Sequence, residues 1–138
     1  MTINYFAVFV SAIVGMGLGS LWYGPLFGKQ WAHMMGWSYE HMQHIMNKDA
    51  LKSYGIMFVG LLFMSWILAH TILFASVYLS WYGATSGAII GALNWLGFVA
   101  PVTIGSVLWE GKSWKLWALN AGYYLVVIVA IGTILGAW

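Results

Sequence analysis

The sequence predicts an all-α integral membrane protein, a bundle of four transmembrane helices with a short interfacial helical segment between the first two. The composition is the first reason. Charged residues make up 6% of the 138 residues and hydrophobic residues 62%, whereas about 25% of an ordinary soluble domain is charged. A soluble domain of this size cannot bury so much apolar surface.

The same composition excludes several classes of protein and site. A net charge of +2 gives no basic surface for nucleic acid. The absence of cysteine excludes disulfides, thiolate metal sites and cysteine nucleophiles. No cofactor and no nucleic-acid partner are predicted, and membrane lipid is the expected bound partner.

The second reason is the position of the charges, which fall only within residues 29–52 and 110–115. They are Lys29, Glu40, Lys48, Asp49, Lys52, Glu110, Lys112 and Lys115. A helix that crosses about 30 Å of hydrocarbon needs about 20 residues. The uncharged stretches at the two ends of the chain therefore hold one span each, and the long middle stretch holds two.

The four spans are predicted in order along a single membrane domain, residues 1–138. They cover about residues 4–23, 52–79, 84–109 and 114–137. The first ends at Gly24-Pro25, because proline disfavours helix in the residue before it. Short turns at residues 80–83 and 110–113 separate the later spans.

The loop at residues 24–51 is predicted to hold two short helices. Pro25 suits the first turn of one, and Ser38 is a good N-cap for a second that runs to about Asn47. The first of these helices carries its apolar side chains on one face, which is typical of a helix in the headgroup plane. Those side chains are Phe27, Trp31, Met34 and Met35.

Helix packing in lipid depends on small residues, and these favour the first and third spans as the central pair. The first span has Ser11, Gly15 and Gly19 at four-residue spacing, and the third has Gly87 and Gly91. The second and fourth spans are then expected to be more exposed. Pro101 is expected to kink the third span.

The lysines predict orientation. They lie only in the first and third loops, so the positive-inside rule places these loops in the cytoplasm and both termini outside. A bacterial inner membrane is the expected location. Gly28-Lys29-Gln30-Trp31 in the first loop is echoed by Gly111-Lys112-Ser113-Trp114 in the third. The echo fits either a duplicated hairpin or the ordinary composition of a cytoplasmic interface.

Three polar side chains within the spans are candidate functional residues, namely His70, Asn94 and Asn120. Ionisable groups inside a membrane are often functional, although a neutral histidine can also simply hold helices together. His70 and Asn94 are expected at similar depth, where they could hydrogen-bond. Asn120 is expected either to cap backbone near the start of the fourth span or to face Glu110.

The first loop offers a candidate metal site. Its possible ligands are His33, His41, His44 and Glu40, with Met34, Met35, Met42 and Met46 nearby. Imidazole with carboxylate suits zinc, and imidazole with thioether suits copper. The His-Glu-x-x-His spacing is absent, and methionine is also a common filler of interfacial helices.

A motif after the first span resembles a known family. Trp22, Tyr23, Pro25, Phe27, Gly28, Lys29, Trp31 and Gly36 match it, and so does the segment Asn94-Trp95-Leu96-Gly97-Phe98. The chain resembles the bacterial membrane family called domain of unknown function 1761 (DUF1761). This resemblance implies a four-helix membrane protein of about this length. It implies no activity, and the stretch 33–46 rich in histidine and methionine departs from the family pattern.

The function favoured by the sequence is a non-enzymatic structural or interaction protein, forming homo-oligomers or serving as a subunit of a larger membrane assembly. No catalytic residue is predicted, because no nucleophile–base pair is visible. One alternative is a small oligomeric channel or passive transporter that uses His70, Asn94 and Asn120. A second alternative is a zinc or copper binder through the first loop.

Overall fold

A computed structural model describes residues 2–138, which contain helices and no strand. The helices are α1 (Tyr5–Leu21), α2 (Gly28–Met34), α3 (Tyr39–Asn47), α4 (Ala50–Leu79), α5 (Gly83–Asn94), α6 (Ala100–Thr103), α7 (Gly105–Leu108) and α8 (Trp114–Ala137). π-Helical turns follow α1 at Trp22–Leu26 and α5 at Trp95–Val99. The predicted all-α class is confirmed.

Four segments are long and apolar enough to cross a membrane, as expected of an integral membrane protein. They are Tyr5–Leu26, Ala50–Leu79, Gly83–Leu108 and Trp114–Ala137, here called spans one to four. Each end lies within three residues of the end that the sequence predicts. All eight charged residues lie at one end of the bundle, called here the charged end, and the opposite end is called the uncharged end.

The connection between spans one and two contains two short helices. The Ser38 hydroxyl accepts a hydrogen bond from the backbone N–H of His41 at 3.1 Å, so the predicted N-cap of α3 is confirmed. The prediction for Pro25 is wrong, because this residue lies in the π-helical turn and α2 begins only at Gly28. Gly36 ends α2 with φ of +74°, which a residue with a side chain rarely adopts.

The fourth span is the centre of the bundle. α8 makes its most extensive contact with α5 and also packs against α1 and α4. A third of the best apolar window of span four is buried (33%), against 17% in spans two and three. The expected central pair of spans one and three is therefore wrong, and span four is the most buried rather than an exposed helix.

Glycines on both partners explain this arrangement. Gly83 lies against Gly136, Gly87 against Gly132, and Gly91 against the Ile128 carbonyl of α8. A Cβ atom at Gly91 would lie 2.7 Å from the Ile128 carbonyl oxygen. The glycines of span three thus serve contact with span four, because both helices lack side chains where their backbones meet.

Span three is irregular in its second half, as the proline predicts. The π-helical turn Trp95–Val99 runs directly into α6, whose first turn contains Pro101. The Thr103 hydroxyl donates a hydrogen bond to the Val99 carbonyl at 2.7 Å. The chain leaves regular α-helix where proline removes a backbone donor.

Candidate functional site

A large cavity lies at the charged end of the bundle. Its volume is about 1170 Å³. Seven aromatic side chains line it, Tyr23, Trp31, Tyr54, Trp109, Trp117, Tyr123 and Tyr124. Four methionines also line it, Met16, Met35, Met46 and Met57. Its polar lining comes from Ser20, Gln43, Asn47, Thr103, Ser106, Glu110, Lys112 and Asn120.

The cavity exists because the spans diverge toward the charged end. α4 packs against α5, which is the first half of span three, whereas α6 and α7 in the second half pack against α8. Tyr54 and Met57 of α4 form one side of the cavity, and Val102 and Ser106 of span three form another. α2 adds Trp31 to the wall, and α3 adds Gln43, Met46 and Asn47.

A hydrogen bond between distant parts of the chain lies in the cavity wall. The Tyr23 hydroxyl donates to Asn120 Oδ1 at 2.8 Å, across 97 positions of sequence. Within residues 2–138 the Asn120 amide nitrogen has no hydrogen-bond partner. Asn120 therefore orients one aromatic side chain and keeps two N–H groups for whatever occupies the cavity.

Four of the aromatic side chains form a continuous series of ring contacts. The Trp31 and Tyr23 ring centroids are 5.7 Å apart, and Tyr23 and Tyr123 are 5.2 Å apart. Tyr123 and Tyr124 follow at 5.0 Å. The first two pairs are edge-to-face and the third is tilted. Aromatic pairs are favourable beyond the area that they bury, so these contacts stabilise this part of the wall.

The motif of the first loop builds this wall. The Trp22 indole N–H donates to the Leu119 carbonyl at 3.1 Å, and its ring lies 4.6 Å from that of Phe27. A Cβ atom at Gly28 would lie 2.6 Å from the Tyr23 carbonyl oxygen. Glycine is thus required for α2 to begin directly against the turn that carries Tyr23. The Lys29 ammonium lies 5.7 Å from the centre of the Tyr39 ring, so it joins α2 to α3.

Span three makes a similar contact with α8. The Trp95 indole N–H donates to the Ala121 carbonyl at 2.7 Å, two residues beyond the carbonyl that Trp22 uses. Both tryptophans are the first residue of a π-helical turn. Single π-helical turns are rare and common at functional sites, and here both fasten a span to the helix that lines the cavity.

The three polar candidates within the spans are not brought together. Asn120 lies in the cavity wall, and its side-chain oxygen bonds Tyr23 rather than capping backbone or meeting Glu110. His70 Nδ1 lies 2.8 Å from the Trp66 carbonyl, and Asn94 Nδ2 donates to the Ile90 carbonyl at 2.8 Å.

The hydrogen bond that the sequence allowed between His70 and Asn94 is therefore not formed. Each of these side chains is held by a carbonyl four residues earlier on its own helix, which is the nearest acceptor in an apolar bundle. Neither residue lines the cavity.

The candidate metal ligands are dispersed and exposed. His33 lies on α2, whereas Glu40, His41 and His44 lie on α3 beyond the turn at Gly36. The His41 ring packs against Trp37 at 5.2 Å. In the described part of the chain, no three side chains of His, Cys, Asp or Glu are grouped as a metal ion would need.

Sequence reasoning missed most of the cavity residues. Tyr123 and Tyr124 follow Asn120 at three and four residues, so all three lie on one face of α8. That spacing was visible in the sequence, but tyrosine in a membrane helix usually indicates interfacial depth. Met35 and Met46, which the sequence placed near a metal, line the cavity instead.

Residues 6–136 match the profile of the family described as "Protein of unknown function (DUF1761)". The chain belongs to this family. The resemblance drawn from the Trp22–Trp31 motif is thereby confirmed. No curated protein and no solved structure matches the chain. In this DUF1761 member, the motif residues that carry the resemblance are those that position Tyr23 against the cavity.

Proposed function

We propose that this DUF1761 protein is a non-enzymatic membrane protein that binds an amphipathic small molecule in the cavity at the charged end. The cavity carries the proposal. Its volume of about 1170 Å³ is slightly above the usual range of ligand sites, about 300–1,000 Å³, and like them it combines an apolar lining with a few convergent polar groups.

The chemistry of the wall supports binding rather than catalysis. The polar groups around Asn120 are tyrosine hydroxyls and an amide, which orient a ligand by hydrogen bonds. Glu110 and Lys112 belong to the exposed turn before α8 and are separated from Asn120 by more than one turn of helix. This leaves a site with orienting groups and without a nucleophile and base in contact.

The location of the cavity supports a ligand drawn from the membrane. The lysines at this end suggest the cytoplasmic side of a bacterial inner membrane, with both termini outside. An amphiphile whose tail lies among methionines and aromatic rings would keep its polar end near the headgroup region. Membrane lipid and lipid-soluble metabolites are the natural source of such molecules.

The test measures binding in lipid nanodiscs. The probe is the uncharged N-decyl dansylamide, whose dansyl group accepts energy from tryptophans such as Trp31, Trp109 and Trp117 in the cavity wall. We expect saturable energy transfer. Ser106→Trp places a bulky ring inside the cavity and should weaken probe binding at least about tenfold, because the ring competes with the probe for space.

Ala118→Trp is the matched control. It adds the same side chain to an exposed position of α8 outside the cavity wall, so probe binding should be unchanged. Energy transfer that never saturates, or that is equal in the two tryptophan variants, would contradict the proposal.

A second proposed role, self-association or membership of a larger assembly, is supported by glycines on the outer surface. Gly17, Gly55 and Gly60 are exposed and a Cβ atom at each would meet nothing within 4 Å. Exposed glycine costs helix stability, but it permits close approach of a neighbouring helix. Native mass spectrometry should then detect oligomers that Gly60→Leu reduces, and monomer alone in several mild detergents would refute this role.

A further inference from the structure

The polar wall of the cavity offers hydrogen-bond donors that carry no charge. The Asn120 amide contributes two N–H groups, and the Tyr123 and Tyr124 hydroxyls lie on the same face of α8. Neither hydroxyl has a hydrogen-bond partner within residues 2–138. A ligand that satisfies these groups must present acceptors, such as carbonyl oxygens, at the depth of Asn120.

The depth of these donors separates them from the charged residues. Asn120 lies six residues after Trp114, which is about 9 Å along the helix axis. Glu110 and Lys112, the charged residues of the lining, precede α8 in the exposed turn. A phosphate or carboxylate is bound by arginine or lysine in most sites, so the donors around Asn120 favour an uncharged head.

Aromatic rings surround the same donors. Tyr23 lies between Trp31 and Tyr123 in the series of ring contacts, and Tyr124 continues it. Planar faces and edges of this kind recognise a flat, conjugated group better than a branched or hydrated one. Met16 and Met57, on α1 and α4, provide flexible apolar surface for a chain attached to that group.

We infer that the ligand is a lipid-soluble quinone or a close chemical relative. It would have a neutral planar ring with carbonyl acceptors, which faces Asn120 and the tyrosines, and an apolar tail along the methionines. This inference rests on the proposed function, since it specifies which amphiphile the same cavity takes.

The experiment displaces the dansyl probe from nanodiscs that contain no quinone. Three competitors are compared, decylubiquinone, decylbenzene and laurate, which present a carbonyl-bearing ring, a ring alone and an anionic head. We expect decylubiquinone to displace the probe at about tenfold lower concentration than either of the others. That ratio corresponds to one or two hydrogen bonds.

Two variants locate the effect. Asn120→Leu should raise the decylubiquinone concentration needed for displacement about tenfold, and Tyr124→Phe about threefold, with no change for decylbenzene. Asn94→Leu is the matched control, because it removes an amide outside the cavity. Binding of the dansyl probe itself reports whether each variant is folded, and the isosteric Tyr124→Phe carries the test if Asn120→Leu does not fold.

The outcomes are distinguishable. Equal displacement by decylubiquinone and decylbenzene, or no effect of both variants, overturns the quinone inference and leaves amphiphile binding in place. Tighter binding of laurate also overturns it, in favour of an anionic head. Absence of saturable probe binding in the unaltered protein removes the proposed function and the inference together.

Discussion

The two ends of α8 are packed in opposite ways. At the uncharged end, Gly132 and Gly136 bring α8 into backbone contact with Gly83 and Gly87 of α5. At the charged end, α8 carries Asn120 and two tyrosines instead, and a cavity of about 1170 Å³ lies beside it. The pocket at the uncharged end is about 300 Å³.

The difference shows how one helix can both hold a membrane bundle together and open a site. Lipid tails are as apolar as the side chains, so helices associate through close packing and hydrogen bonds rather than through hydrophobic burial. At the uncharged end, glycines permit the close packing. Where large side chains hold the spans apart, the hydrogen bonds come from the indole N–H groups of Trp22 and Trp95, which donate to carbonyls of α8.

The strongest test of this contrast is Gly87→Ala. The new Cβ atom would overlap the Gly132 carbonyl group, and backbone cannot move without separating α5 from α8. We expect a loss of about 2–3 kcal/mol in the free energy of unfolding, as for overpacked cores. Unfolding by sodium dodecyl sulfate in mixed micelles measures it, and an unchanged midpoint would contradict the tight backbone contact.

The next largest effect is expected for Trp95→Phe. Phenylalanine keeps most of the ring but loses the hydrogen bond to the Ala121 carbonyl. The expected loss is about 1 kcal/mol, the usual value of such a bond, and it should appear in the same unfolding assay. Trp138→Phe is the control, since its ring packs edge-to-face against Phe6 at the uncharged end without an indole hydrogen bond within residues 2–138.

Gly60→Ala should have the opposite sign. Gly60 is exposed on α4, and a Cβ atom there would meet nothing within 4 Å. Replacing it restricts the unfolded backbone and should stabilise the isolated chain by about 0.5–1 kcal/mol. A loss of stability in the monomer would contradict the open space around Gly60.

The smallest effect is expected for Gly19→Ala, the counterpart of Gly87→Ala at the charged end. Its Cβ atom would lie 2.8 Å from the Tyr123 hydroxyl oxygen, which is the end of a side chain. That ring can shift toward the cavity, so we expect a loss below about 1 kcal/mol. If the loss equalled that of Gly87→Ala, the two ends would be equally rigid and the contrast would fail.

Much of the architecture was predictable from the sequence because it depends on local features. The charge-free stretches set the number of spans, since a bilayer accepts only long apolar helices. Ser38 identified the start of α3 because an N-cap acts within three residues. The Trp22–Trp31 motif identified the family.

Asn120 lies within a span, as the sequence predicts, but its hydrogen-bond partner was not predicted. Tyr23 lies 97 positions away, and no local pattern specifies which two helices meet at that depth. The same reason explains why His70 and Asn94, which the sequence allowed to hydrogen-bond, do not. Similar depth brings side chains together only if their helices face each other there.

The sequence by itself determined the number, length and order of the spans, because each follows from which stretches of the chain are apolar enough to lie in lipid. Only the tertiary structure decided that span four is central and that the charged end is open. Those features depend on which glycines meet which carbonyls, as Gly91 meets Ile128. They also depend on where bulky rings keep the helices apart, as Tyr23 and Tyr123 do.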